Sequence, residues 1–310
     1  MHIRPAHALL ALTLVAVAGW GVRSSISAAS AQGGSAGAPA NQHASLPSTL
    51  TLNATIRDFR YRSTTGGHPD FESYGNPNIT TQLVMDTLDS DGKPVFRQKR
   101  GQQITTEFKN SGGQPINPLH FDATKGDTRG VTSTVGSDQL TSVAAFAQWY
   151  RDVPSVNSSK ILPLVFNRVP NTNRYVFDSA TDQPYMNVGG FFPINGELFG
   201  NQGNAKNFAF STEISTEFVF ERGRGQVFTF TGDDDVWVFI DGKLVLDLGG
   251  LHSKKVQTLD LDRLSWLTDG RTYSLKVFHA ERHTNQSNFR IETTLTLRSL
   301  DLPAVSALAD

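Results

Sequence analysis

From Leu50 onward the chain is written in short apolar runs, "TLNATIRDF", "TEFVFERG", "QVFTFTG" and "DVWVFIDGKLVLDL", cut apart by Gly, Asn and Asp clusters. Runs of four to eight residues are too short for core helices, and the turn residues between them allow the chain to reverse at each break. This texture predicts an all-β fold, an antiparallel β-sandwich or barrel with one or two short inserted helices. The chain has 310 residues, 38% of them apolar, which is enough for one large core. It has no cysteine, so that core must hold without disulfides, helped at most by a bound ion. Net charge is -1 with a pI near 6.7, so no global field draws nucleic acid or an anionic surface.

The N-terminus combines Arg4, an apolar run from Ala8 to Val22 and small residues ending Ala29-Ser30-Ala31. That order reads as a secretory signal peptide over residues 1–31. The run of about 15 residues is short of the ~20 that span a bilayer, so no membrane span is expected in the mature chain. Residues 32–49, rich in Gly, Ala, Ser and Pro, read as a flexible tether, residues 50–300 as the folded domain, and 301–310 as a tail. The expected location is extracellular, secreted or at the cell surface. Four sequons begin at Asn53, Asn78, Asn157 and Asn285. One helix is expected over residues 138–151, capped by Asp138, with Leu140, Val143, Ala144, Ala147 and Tyr150 on one face.

The stretch from residue 226 is the most legible. A strand over 226–231 meets the triplet Asp233, Asp234 and Asp235; a second strand over 236–240 is apolar on both faces. Asp241-Gly242 then reads as a tight hairpin turn into a strand over 244–248. Trp237 and Phe239 are assigned to core. Adjacent carboxylates repel by about 3 kcal/mol per pair at an effective dielectric of ~20 and ~5 Å, so a partly buried triplet needs an offset. A hard cation such as Ca²⁺ would supply it, since Asp233, Asp234, Asn285 and Asn288 offer an all-oxygen ligand set. A solvated acidic turn capped by its own backbone explains the spacing equally well.

Other clusters are weaker. His279, Glu281 and His283 share a strand face and could ligate zinc, but they lack the helical H-E-x-x-H spacing and read better as a polar strand end. "SDGKP" at 90–94 reads as a hairpin turn rather than a calcium loop. Carboxylates for glycoside hydrolysis could be drawn from Asp233, Asp234, Glu281 or Glu292, yet nothing in the sequence sets the separation such chemistry needs. Nucleophile-elbow and P-loop signatures are absent.

Seven blocks in order, among them "DFRYRSTTGGHPDFE" (58–72), "FFPINGELFG" (191–200), "GDDDVWVFIDGKLVLDLGGLH" (232–252) and "AERHTNQSNFRIETTL" (280–295), resemble the fibro-slime domain over roughly residues 50–300. That family is similar in turn to the protective-antigen-type β-sandwich of toxins, glycosidases and flocculin-like adhesins. In the adhesins a pair of aspartates joined by a cis peptide and an asparagine on a second loop hold Ca²⁺, which contacts sugar hydroxyls. The resemblance implies Asp233 and Asp234 as the pair and Asn288 as the asparagine, with Asn285 the alternative and the Arg290 carbonyl completing the shell. Asp235 stands where the wider group carries glycine, and is either an added ligand or a change in the turn. Asp247, Gly249, Gly250 and His252 would shape the rim. The expected function is calcium-dependent carbohydrate binding or adhesion, with a glycan or polysaccharide surface as partner; the alternatives are a matrix protein with a purely stabilising calcium site and, further off, a glycoside hydrolase.

Overall fold

The computed structural model describes residues 43–73 and 78–299. The expected signal peptide, the first part of the tether and the C-terminal tail lie outside them. Fourteen strands follow in chain order: β1 (Thr49–Phe59), β2 (Thr80–Thr81), β3 (Gln102–Thr106), β4 (Val131–Thr134), β5 (Asn157–Arg168), β6 (Tyr175–Asp178) and β7 (Phe210–Val219). Then come β8 (Val227–Gly232), β9 (Asp235–Ile240), β10 (Lys243–Leu248), β11 (Lys255–Asp260), β12 (Thr272–Glu281), β13 (Phe289–Thr293) and β14 (Arg298–Ser299). Two one-turn helices, α1 (Val143–Phe146) and α2 (Tyr185–Val188), interrupt them. The expected all-β antiparallel architecture with short inserted helices is the one observed.

The main sheet has the order β10-β9-β12-β7-β1-β5-β6-β13-β8-β11, antiparallel throughout, with β14 added to β7. β8 and β9 stand near opposite ends of this order, yet only Asp233 and Asp234 separate them in sequence. A two-residue link between strands so far apart in the order requires the sheet to fold over, so that they belong to facing layers. The aspartate pair is therefore the corner where the chain changes layer. At the other end of β9 the hairpin is as read: Ile240 pairs with Lys243 across Asp241 (φ 46°) and Gly242 (φ 74°), the two left-handed residues of a type I′ turn.

β9 is buried along its whole length because it feeds two cores. Val236, Val238 and Ile240 point into the sandwich with Phe210, Ile214, Phe230 and Phe289. Trp237 and Phe239 face a second cluster built from the long insertion between β1 and β5, including Phe71, Leu83, Phe146 and Trp149. Side chains alternate along a strand, so a run apolar on both faces needs cover on both. The insertion supplies the second cover, and it also carries a small sheet, β2-β3-β4.

Two expectations are corrected. The helix over 138–151 is only the single turn α1, capped by Ser142, whose hydroxyl accepts from Ala145 N–H, and not by Asp138. Asp138 pairs with Arg100 instead, and Val143, placed on the packing face, is exposed. The buried Asp70 carboxylate explains the break: it accepts from Thr141 N–H (2.8 Å) and Trp149 Nε1 (3.1 Å), pinning both ends of the segment to tertiary partners that a continuous helix could not reach. The tether also ends sooner than read. Pro47 O accepts from Tyr175 Oη and Arg168 Nε, and Ser48 O from Arg168 N–H, so residues 47–49 already belong to the domain. The turn at residues 89–93 is the hairpin read from "SDGKP", with the Asp89 carboxylate accepting from the Asp91 and Lys93 amides.

Candidate functional site

Gly232 ends β8 beside the loop between β12 and β13, and a Cβ there would lie 2.2 Å from Asn288 O. Only glycine allows that approach, which sets the next residue against the loop. The Asp233–Asp234 peptide bond is cis. Asp233 N–H donates to Asn288 O (3.2 Å), Asn288 N–H donates to Asp233 Oδ1 (2.5 Å), and Asn288 Nδ2 donates to Asp233 Oδ2 (2.9 Å). Asp234 accepts from His252 N–H at Oδ1 and from Arg282 N–H at Oδ2, both at 3.2 Å. Each of the four carboxylate oxygens thus holds one hydrogen bond and keeps a free lone pair. The two residues are 3% and 6% exposed, so both carboxylates are held largely out of water.

The other expected residues separate from this pair. Asp235, fully buried, turns inward: its Oδ2 pairs with Arg282 Nε at 2.6 Å and its Oδ1 accepts from Gly250 N–H at 2.6 Å, so both oxygens are engaged. It works as an anchor for Arg282. Asn285 is exposed, with φ 139°, and bonds neither aspartate. Arg290 lies inside β13, flanked by β6 and β8, so its carbonyl belongs to the ladder; its guanidinium pairs with Asp178 and Glu292. Asp247 is a buried brace rather than an open rim, accepting from Trp237 Nε1 (3.0 Å), Gly249 N–H (3.2 Å) and Gln82 N–H (2.9 Å). Gly249 has no room for a side chain, since a Cβ would meet Thr80 O at 2.7 Å. His252 reaches the pair through its backbone amide, while both ring nitrogens face carbonyl oxygens, of Ser253 and Leu248.

Burial is the dominant electrostatic fact. It raises Asp233 above the usual carboxylate range, against the two Asn288 hydrogen bonds that lower it. Asp234 is raised much further by burial, with Arg282 lowering it and the Asp235 and Asp233 charges raising it. Asp247 is pushed up to about 6, again by burial. Behind the turn, His279 Nε2 donates to Asp233 O (2.9 Å), which leaves Nδ1 to accept from the Thr212 hydroxyl (3.3 Å). Burial lowers this imidazole from 6.5 to about 4. A histidine with a depressed folded pKa contributes stability that is complete above 6.5 and is lost as pH falls through that window toward 4. Asp58 and Asp247, raised from 3.8 to about 6, act in the opposite sense, contributing stability below about 4 that is lost as pH rises through 6. The direct expectation is that NMR titration finds His279 neutral from pH 8 down to 5. An inflection near 6.5 would contradict the burial argument.

Arg282 and Ser287 escape the sequence reading, and His279 reads there as a zinc candidate rather than as a support for the Asp233 carbonyl. Arg282 adjoins Glu281 in a run read as possible zinc ligands, and that cluster does not form. His279 faces Asp233 O, and His283 Nδ1 pairs with Glu72 Oε2. Glu292 of the hydrolytic alternative is tied to Arg174 and Arg290. Among the described residues no three His, Asp or Glu side chains stand ready as a metal cage. The crossover pair offers a different donor set, two carboxylates with the amide oxygen of Asn288 beside them, its nitrogen being turned to Asp233, and oxygen donors suit a hard cation rather than zinc.

Comparison with known proteins places this corner in a recognised segment. Residues 193–308 match the model of the PA14 domain. The PA14 match spans β7 to β14 and so includes Asp233, Asp234, Asn288 and Arg282. Among curated proteins of Dictyostelium discoideum, psiR is 32% identical over 264 residues, covering 81% of this chain and 22% of psiR. Protein psiC is 30% identical over 267 residues, covering 83% of this chain and 43% of psiC. The chain thus spans less than half the length of either relative. Of solved structures, the PA14 domain of the MpAFP antifreeze protein aligns at 13% identity and a TM-score of 0.21, over 33% of this chain and 48% of that one. The epithelial adhesin 6 A domain from Candida glabrata, solved with Galβ1-3GlcNAc, aligns at 17% identity and a TM-score of 0.18, over 31% and 46%. Superposition is slight in both cases. No helix among the described residues is long and apolar enough to cross a membrane.

Proposed function

We propose that this chain is a secreted or cell-surface module of the fibro-slime type that binds carbohydrate, or mediates adhesion, through a calcium ion held at the layer crossover. The observation that carries the reading is the pairing of Asp233 with Asn288 across two loops, with Asp234 joined to Asp233 by a cis peptide and held by two backbone amides: among the described residues no cationic side chain bonds either carboxylate directly. Asp235 pairs with Arg282 and so removes that cation from competition, while Lys254 acts on Asp233 without bonding it. Ca²⁺ takes six to eight oxygens, so two carboxylates and an amide oxygen leave positions for water or for sugar hydroxyls. The PA14 match covers every residue of this set.

The depth of the pair favours a second reading, in which calcium is a structural staple of an extracellular matrix protein and meets no sugar. Calorimetric titration of the full chain with calcium, followed by glycan arrays with calcium and with chelator, separates the two. Calcium binding with calcium-dependent glycan signals supports the module. Calcium-raised thermal stability with blank arrays supports the staple. Absence of calcium binding rejects both, and turnover of a polysaccharide would establish the hydrolase instead.

A further inference from the structure

Glu281 takes no part in the site as described so far, and its surroundings are unusual. It ends β12 and is fully inaccessible. Its Oε1 accepts one long bond from His283 N–H (3.4 Å), and its Oε2 has no hydrogen-bond partner among the described residues. Ser287 Oγ, on the loop that carries Asn288, is buried, makes no well-formed hydrogen bond, and lies near enough to Glu281 to act on its carboxylate as a hydrogen-bond donor. Arg282, the adjacent cation, is committed to Asp235. An interior carboxylate left in this condition is strongly disfavoured, and a natural protein normally retains one only for a counter-charge or a proton.

Register shows which charges Glu281 meets. β12 pairs with β9 so that His279 lies opposite Val236 and Ala280 opposite Asp235. Continued by one residue, the ladder sets Glu281 alongside Asp234 at the corner. After burial itself, Asp234 and then Asp233 act on it most strongly. Three buried acids are neighbours here, two at the layer crossover and one at the end of β12. Protons would have to arrive separately at each, whereas one divalent cation offsets all three together.

We infer that Glu281 is a third carboxylate ligand of the cation held by Asp233 and Asp234, approaching from the interior side through Oε2, with the Ser287 hydroxyl donating to its other oxygen. This rests on the calcium reading above and extends it to a residue outside the aspartate-aspartate-asparagine set. The three carboxylates do not converge on one point as they stand, as like charges should not. Coordination therefore requires the Glu281 side chain to rotate toward the corner. Such a rotation makes an inner wall for the ion, so that only its outer face stays open to water or ligand.

The test uses the full chain, calcium and, as a luminescent substitute, terbium. Glu281→Gln keeps the shape and removes the charge. The expected result is calcium affinity weakened by about 10- to 100-fold, with about one more water on bound terbium, judged from lifetimes in H2O and D2O, and no loss of thermal stability in chelator. Glu281→Asp, which keeps a carboxylate too short to reach, should show the same weakening and guards against misfolding of the first variant. Calcium affinity within threefold of wild type and an unchanged water count would overturn the inference and leave Glu281 as a buried, protonated acid. In that case an Asp233→Asn/Asp234→Asn control that abolishes binding would still uphold the outer site. A wild-type chain that binds no calcium would sink the outer site and this extension together.

Discussion

Arg282→Met is expected to destabilise the protein by about 3 to 5 kcal/mol, measured by urea or thermal unfolding in chelator. The Arg282 and Asp235 side chains are 1% and 0% exposed. Beyond its bond to Asp235, Arg282 donates through Nη1 to the carbonyls of Asp70 (3.3 Å) and Gln139 (3.2 Å), and its guanidinium lies 4.9 Å from the centre of the Trp149 ring. One side chain thus ties the crossover strand to two separate parts of the insertion. Methionine replaces most of the volume but leaves the Asp235 carboxylate buried beside Asp234 without its counter-charge. Removing one partner of a buried pair costs more than removing both, so Arg282→Met/Asp235→Asn should recover a substantial part of the loss. A single-variant loss below about 1 kcal/mol would mean that the pair is solvated and does not organise the corner.

Asp233→Asn/Asp234→Asn should move stability in opposite directions depending on calcium. In chelator the double variant should be as stable as wild type or more so, because it removes two buried carboxylates whose mutual repulsion is about 3 kcal/mol at an effective dielectric of ~20 and ~5 Å. With calcium at about 100 times its dissociation constant, wild type should gain about 2.7 kcal/mol and the variant nothing. Differential scanning calorimetry under both conditions tests this. Equal calcium-dependent gains in the two proteins would place the ion elsewhere. A variant that loses stability in chelator would show that the carboxylates serve the fold through their hydrogen bonds to Asn288, His252 and Arg282 more than they strain it.

Local signals made most of the sheet legible. The short apolar runs from Leu50, the Asp241-Gly242 turn and the two-faced run of β9 are properties of neighbouring residues, and each is present as read. Asp233, Asp234 and Asn288 were narrowed down by a family resemblance, and the structure joins Asn288 to Asp233 by hydrogen bonds, with Asp234 beside them through the cis peptide. What the residues could not indicate are partnerships between distant segments. Arg282 meets Asp235 across 47 positions, and nothing near either residue announces the other. Asp235 therefore read as a candidate ligand when its role is to hold a cation. The helix over 138–151 failed for the same reason: its 3.6-residue spacing is real, but Asp70, 71 positions before Thr141, decides the backbone. His279, Glu281 and His283 looked like one group on a strand face, yet the strand ends at Glu281 and His283 has already turned toward Glu72.

The two-residue crossover also limits how such a protein can diversify. Its aspartates are linker and binding group at once, fixed in length by β8 on one side and β9 on the other. Inserting or deleting a residue there would turn one strand by a half-period, exchanging the buried and outward faces of β8 or the two cores that β9 feeds. Selection for a new ligand is therefore confined to the middle of the neighbouring loops, residues 253–254 and 283–286, between the anchors Gly249, Gly250, His252, Arg282 and Asn288. A population of related sequences should vary there and stay constant in length between Gly232 and Asp235.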